Sequence, residues 1–290
     1  MAFNWQTFRT RSLTAAVFVV VMLTGLFWNQ WSFLVLFSIV HFGCWWEYQK
    51  IVGLIDPGYS KISTIHKYSV MIAGWCIMLY FTNNAYLIFD FPLWKIGEWA
   101  GIGFLFIAVI SALSRPKNIS HSIFGLLYIS LSWGLMMDLR RDFFISKTDM
   151  VDQFLVGWHQ VIIPCAIIFS IWINDTMAYI VGSLIGKTPL SKISPKKTVE
   201  GTLGGIVLAV IVAAFIAWLS HFDIKAIIIV AAIASIIGTF GDLLESKLKR
   251  MAGVKDSGHI MPGHGGFLDR FDSLLLAVPA VWLYVYFFLR

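Results

Sequence analysis

From Ser12 to Trp46 the chain runs thirty-five residues without Asp, Glu, Lys or Arg. A surface helix of a soluble domain buries one stripe and keeps a charged face, so a run of this length has lipid, not water, as its surroundings. A bilayer core asks for roughly 20 apolar residues per helical span. Ala226–Gly241 is a second uncharged stretch, and the composition agrees: 58% of residues are hydrophobic and 13% charged, where a soluble domain carries about 25% charged. The alternating segments of about ten residues that build a membrane barrel are absent. The expected fold class is all-α, a polytopic membrane protein.

Apolar runs predict spans near Leu13–Trp28, Trp31–Trp46, Ser69–Phe89, Trp99–Leu113, Ile123–Met137, Phe154–Ile173 continuing toward Ser183, Gly201–Leu219, Ala226–Gly241 and Phe271–Leu289. That is about nine transmembrane helices. The first two are separated by Asn29-Gln30 and are expected to form a tight helical hairpin. Met1–Arg11 followed by an apolar run resembles a leader, but Leu26-Phe27-Trp28-Asn29 is too bulky for a small-residue cleavage site, so the helix reads as retained. With the N-terminus cytoplasmic, sixteen of the 22 Lys and Arg fall on inner segments and six on outer ones, the bias expected of cytoplasmic loops. Cys44, Cys76 and Cys165 lie inside apolar segments with no CxxC pair and read as small buried hydrophobes.

The chain divides into 1–153, five scaffold helices with possible dimer contacts, and 154–290, four helices with two charged loops at 186–201 and 241–272. Loops on a rigid scaffold are where chemistry is sought. Gly241–Asp272 holds five acids (Asp242, Glu245, Asp256, Asp269, Asp272) and five bases (Lys247, Lys249, Arg250, Lys255, Arg270). It is neutral, and becomes a strong anion site only when the carboxylates hold cations. Asp242, Glu245, Ser246 and Lys249 share one helical face at i, i+3, i+4 and i+7, and Asp269 and Asp272 are also spaced i, i+3. Two such faces joined by a turn containing Gly258, Pro262, Gly263, Gly265 and Gly266 suit a hard cation such as Mg²⁺. For Glu245 or Lys247 alone, an interfacial charge that keeps a loop wet is an equally good reading. For Asp242 and Asp269, at the expected helix ends beside Gly238, Gly241 and Gly266, it is not, because a charge slipping into lipid costs a few kcal/mol.

The first loop carries four lysines and one acid between Lys187 and Glu200, a net +3 that suits a polyphosphate. Asp175, at or just inside the end of an apolar run, is a functional candidate on the same reasoning. Gly182–Thr188 imitates a phosphate-binding P-loop, but position 181 is valine where the first glycine belongs, and Pro189 breaks the helix that should follow. His259 and His264 are five apart without the spacing of a zinc helix, so His264 reads as a phosphate or backbone contact.

The stretch Ser246-x-Leu-Lys249-Arg250-x4-Lys255-Asp256-x-Gly258-x3-Pro262-x-His264-Gly265-Gly266-Phe-x-Asp269-Arg270-Phe-Asp272 resembles the signature of the phosphatidate cytidylyltransferases, or CDP-diacylglycerol synthases. Asp175-x-x-Ala178-Tyr179-x-x-Gly182 and Ser194-Pro-Lys-Lys-Thr-x-Glu-Gly201 are similar to other segments of that family. Together these cover the C-terminal third or so of the chain. In the N-terminal half the likeness is limited to the number of apolar spans and to Glu47-Tyr48. Met261 departs from the family's leucine, isoleucine or phenylalanine, a swap that keeps volume and apolarity.

The resemblance implies a bacterial inner-membrane protein, multi-pass and homodimeric, with its active site facing the cytoplasm. It implies transfer of a cytidylyl group from CTP to phosphatidate with release of pyrophosphate, and no nucleic-acid partner. It implies Mg²⁺ with a monovalent ion such as K⁺, held by Asp242 and Asp269, with Asp175 and Asp272 as further metal candidates. Lys249, Arg250, Lys255, Arg270 and His264 would act on the phosphates in catalysis. Ser194, Lys196, Lys197, Lys187, Tyr179, Ser246, Gly265 and Gly266 would bind substrate. Two rivals remain. A transporter would place ionisable groups near helix midpoints and show internal repeats, whereas charge here collects on one face. A CTP-dependent polyprenol kinase would release CDP rather than pyrophosphate.

Overall fold

Helices begin and end where the chain supplies caps and breakers. In the computed structural model, which describes residues 5–112, 119–141, 160–258, 260 and 265–290, α1 (Trp5–Phe27) and α2 (Gln30–Ile55) are joined by Trp28-Asn29. Asn29 starts α2 with a reciprocal cap: its Oδ1 accepts from the Ser32 amide at 2.8 Å, and its own amide donates to Ser32 Oγ at 3.0 Å. A Cβ on Gly25 would lie 2.6 Å from a Leu36 methyl, so glycine lets the expected hairpin close. The second helix does not end at Trp46. Nothing in Glu47–Ile55 stops it until Asp56-Pro57, where α3 (Pro57–Ser60) begins. Glu47 therefore lies inside a helix rather than after one.

The remaining elements are α4 (Thr64–Tyr80), a hairpin of β1 (Leu87–Ile88) and β2 (Phe91–Pro92), α5 (Leu93–Ala112), α6 (Ile119–Leu139), α7 (Ile162–Ile185), α8 (Val199–Leu219), α9 (Ile224–Met251) and α10 (Leu268–Phe288). In the hairpin Leu87 pairs with Pro92 and Ile88 with Phe91 around a tight turn at Phe89-Asp90. Among the described residues the fold is all-α apart from these four strand residues and an isolated bridge between Pro189 and Thr198.

Among the described residues six helices, α5 to α10, are long and apolar enough to cross a membrane. That is short of the expected nine. The apolar part of α1 is Ser12–Phe27, α2 dilutes its run with Trp, Ser and His, and α4 has 17 residues. The 153/154 boundary lies outside the described residues. Two compact units are present: Met1–Met137 with Leu248–Phe271, and Asp138–Lys247 with Asp272–Arg290.

In the first unit, α4 and α5 pack closely because α5 offers glycine every fourth residue. A Cβ on Gly97 would lie 2.6 Å from the Tyr80 nitrogen, and one on Gly101 3.2 Å from the Cys76 Cβ. A π-helical turn, Leu126–Ser130, interrupts α6. Ser130 Oγ there receives Trp45 Nε1 at 2.8 Å and lies 3.1 Å from the buried His41 Nε2. In the second unit, α8 buries Gly201, Gly205, Ala209, Ala213 and Ala217, one small residue per turn, and packs on α7 along that stripe. A Cβ on Gly205 would meet the Asn174 carbonyl at 2.6 Å, and one on Gly201 the Ala178 carbonyl at 2.6 Å. The backbones touch, as small-residue stripes allow where no hydrophobic force draws helices together in lipid. The three cysteines form no disulfide, Cys44 and Cys76 being buried and Cys165 partly so.

Candidate active site

The close packing of α7 on α8 fixes the segment between them. Thr198 caps α8, its side chain accepting from the Gly201 amide at 3.1 Å. Glu200, in the first turn, reaches back over the loop. Its carboxylate accepts from the amides of Lys187 and Thr188 at 3.1 Å each and from Thr188 Oγ1 at 2.8 Å. Leu190 N donates to Lys197 O at 2.7 Å and Val199 N to Thr188 O at 2.9 Å, so the lysine-rich stretch is a pinned hairpin. A Cβ on Gly182 would lie 2.9 Å from Thr198 Oγ1, which is why α7 carries glycine where this hairpin crosses it.

The hairpin and the helices beneath it enclose a cavity of about 450 Å³. Asn174, Asp175, Ala178, Tyr179, Gly182 and Ser183 of α7 line one side, Ser194, Lys196, Lys197, Thr198 and Thr202 another, and Thr239 of α9 a third. One turn past Thr239, the Asp242 carboxylate forms an ion pair with Lys197. Asp242 lies well inside α9, which continues as helix to Met251, and not at a helix end. Asp175 likewise sits in the middle of α7, because the helix runs on to Ile185. Gly241 lets α9 approach α10: a Cβ there would lie 2.6 Å from the Asp272 carbonyl. Asp272 is buried, its Oδ1 accepting from the Ser273 amide at 2.6 Å.

In the first unit the carboxylates are held differently. Asp269, in the first turn of α10, accepts the Lys249 ammonium on Oδ1 at 2.6 Å. Its Oδ2 accepts the amides of Gly266 at 2.8 Å and Ser257 at 2.9 Å, with Ser257 Oγ also at 2.9 Å. These are the orphan amides of a helix start and of the segment before it, satisfied by one side chain. Beside it Glu47, 2% exposed, accepts Phe267 N on Oε1 at 3.0 Å, and Leu268 N and Ser257 Oγ on Oε2 at 2.8 and 2.6 Å. A Cβ on Gly258 or Gly266 would collide with the Glu47 carboxylate, and one on Gly43 with the Phe267 ring. Gly265, at φ +84°, adopts a backbone conformation that side chains disfavour.

Residues 9–288 match the cytidylyltransferase family. The chain belongs to that family. Among its relatives, a phosphatidate cytidylyltransferase of Bacillus subtilis is 39% identical over 159 residues, 54% of each chain. One of Thermotoga maritima is 29% identical over 257 residues, covering 83% of this chain and 89% of its own. One of Staphylococcus haemolyticus is 48% identical over 112 residues, 38% of this chain and 43% of its own. The match to the Bacillus and Staphylococcus relatives thus spans about half their length.

For this member of the cytidylyltransferase family, the residues expected from the sequence fall into three groups. Asp175, Tyr179, Ser194, Lys196 and Lys197 line one cavity, and Asp242 pairs with Lys197. Lys249, Gly266 and Asp269 are joined by hydrogen bonds around the start of α10, with Gly265 beside them. The rest stand apart. Lys187 engages Glu200 through its backbone and is not among the cavity residues, Arg250 donates to Val254 O at 3.2 Å, and Lys255 and Arg270 are exposed. Ser246 lies on α9, and His264 is outside the described residues. Among the described residues no three His, Cys, Asp or Glu side chains form a metal-binding cluster. Glu47 and Glu200 carried no site assignment from the sequence. A signal for Glu47 existed: it is the first acid after thirty-five uncharged residues.

Proposed function

We propose that this chain is a phosphatidate cytidylyltransferase, joining CTP and phosphatidate to give CDP-diacylglycerol and pyrophosphate. The relatives' activity supports the reading, and one structural observation carries it: the cavity lined by Ser194, Lys196 and Lys197, with Asp242 paired to Lys197 at its edge. Both substrates are polyanions. Bringing them together is an electrostatic and positional task, and lysines with hydroxyls perform it by neutralising charge and aligning groups.

The attacking phosphate oxygen of phosphatidate is already ionised, so no strong base is required. It forms a bond to the α-phosphorus of CTP while the bond to the bridging oxygen breaks and pyrophosphate leaves. Lys196, Lys197 and Ser194 hold phosphate oxygens, with Tyr179 lining the same cavity and Lys187 on the pinned hairpin. Lys249, Arg250, Lys255, Arg270, Ser246 and His264 are the further phosphate contacts, with Gly265 and Gly266 leaving room for substrate against the backbone.

The donors suit a hard cation, since Asp242 and Asp269 present carboxylate oxygens and each already engages a lysine ammonium. Asp242 and Asp269, with Asp175 and Asp272 in support, would hold Mg²⁺ and a monovalent ion such as K⁺. Bound Mg²⁺ would neutralise phosphate charge and stabilise departing pyrophosphate. In this reading the protein works as a homodimer in a bacterial inner membrane with the catalytic face in the cytoplasm. The sixteen-to-six distribution of Lys and Arg favours that orientation.

The test is turnover of CTP with phosphatidate by the detergent-purified protein, with and without Mg²⁺. Equal amounts of pyrophosphate and CDP-diacylglycerol are expected, and chelation should stop both. Release of CDP with a phosphorylated lipid would overturn the reading.

A further inference from the structure

We infer that Glu47 is a positioning residue for Asp269: it clamps the glycine segment before α10 so that Asp269 is presented to a cation through one oxygen only. The inference rests on the proposed reading in taking Asp269 as a Mg²⁺ ligand. The assignment comes from counting acceptor sites. A carboxylate offers about four lone-pair positions. Three at Glu47 are taken, by Phe267 N, Leu268 N and Ser257 Oγ, and the glycines at 258 and 266 press their backbones on the same group. Buried to 2% and saturated by short-range donors, Glu47 has little room for a metal or a substrate. What it does is hold two segments, 257–258 and 266–268, in one place.

Asp269 shows what that placement achieves. Its Oδ2 is engaged by Gly266 N and Ser257 N, whereas Oδ1 takes Lys249 Nζ. Oδ2 is thus the anchored oxygen, and Oδ1 the one that a cation can share with, or take from, Lys249. Ser257 links the two acids. Its hydroxyl oxygen lies 2.6 Å from Glu47 Oε2 against 2.9 Å from Asp269 Oδ2, so its single proton favours Glu47, and the same oxygen accepts the Asp269 amide at 3.3 Å. Loosening Glu47 releases Ser257 and Gly266 together, and with them the orientation of Asp269. Removing such an outer partner of a metal ligand typically costs 10–100-fold in metal affinity or activity.

The experiment compares wild type with Glu47→Gln, an isosteric change that puts an NH₂ donor where an amide or hydroxyl donor now points. The expected result is a half-saturating Mg²⁺ concentration raised about tenfold or more, with KM for CTP and phosphatidate within about twofold. Two readouts independent of turnover accompany it: the rise in melting temperature on adding Mg²⁺ alone, expected to shrink, and hydrogen exchange at Ser257 and Gly266–Leu268, expected to quicken. If Glu47→Gln does not fold in detergent, Ser257→Ala, which keeps the Ser257 amide bond, carries the test and should move all three readouts the same way by a few-fold. Unchanged Mg²⁺ requirement and unchanged exchange in the folded variant would overturn the inference. A wild type that makes no CDP-diacylglycerol, yet whose Mg²⁺-induced stabilisation Glu47→Gln weakens, would sink the proposed reaction and leave the positioning role standing.

Discussion

The two carboxylate sites are built on opposite plans. Asp242 meets one lysine at the edge of an open cavity whose polar lining is hydroxyls, lysines, a tyrosine, Asn174 and Asp175. Asp269 is enclosed by backbone amides, a serine and a lysine that is itself only 12% exposed, and a second acid braces the segment around it. The first arrangement is adaptable: long side chains can follow a substrate. The second is braced: several donors on neighbouring segments fix one carboxylate in a single geometry.

The strongest way to break that contrast is at the rigid site. Asp269→Ala should lower turnover roughly 10²–10³-fold, the several kcal/mol of charge stabilisation that a metal ligand secures, while the protein stays folded. Pyrophosphate release near the wild-type rate would show that the enclosed acid is structural. At the adaptable site, Lys197→Ala should cost about tenfold in kcat/KM, since a charge-assisted contact is worth about 1.5–3 kcal/mol before solvent exposure discounts it. A loss as large as that of Asp269→Ala would mean the lysine is not interchangeable with its neighbour Lys196. Glu200→Gln tests whether pinning the hairpin matters. A KM for CTP raised about threefold with little change in kcat is expected, as a loosened but intact loop samples more conformations. An equal fall in kcat would place the hairpin in the chemical step. Smallest in its effect on chemistry, Gly97→Val should leave specific activity unchanged. It should lower the melting temperature, because overpacking a close helix crossing costs about 1–3 kcal/mol. An unchanged melting temperature would show that α4 and α5 separate without penalty.

Much of this was legible in the residues because lipid imposes a simple rule. Uncharged runs located nine helices of the described chain, and the packed hairpin of α1 and α2 followed from their short linker. The boundaries that failed share a cause. Hydropathy marks where a chain leaves lipid, not where a helix ends, so the spans drawn to Trp46 and Gly241 stop short of α2 and α9, which continue to Ile55 and Met251, whereas α7 ends at Ile185, close to the expected Ser183. Asp242 accordingly lies in a helix interior rather than at the helix end expected. Of the residues that line the cavity, Asp175, Tyr179, Ser194, Lys196 and Lys197 stand out in the sequence through charge and motif. Glu47 and Glu200 do not, because their partners are backbone amides, which every residue but proline carries and no motif records. Glu47 in particular meets groups that lie 210 to 221 positions away.

That separation has a consequence in time. The chain is synthesised from Glu47 toward Asp269 at about 5–20 residues per second, so roughly 10 to 40 s pass before Ser257, Phe267 and Leu268 exist to receive the carboxylate. Throughout that interval α2 carries an acid whose final partners have not been made. Closure of the clamp therefore waits on the start of α10, and it reports, in a single hydrogen-bonded cluster, that this helix has begun.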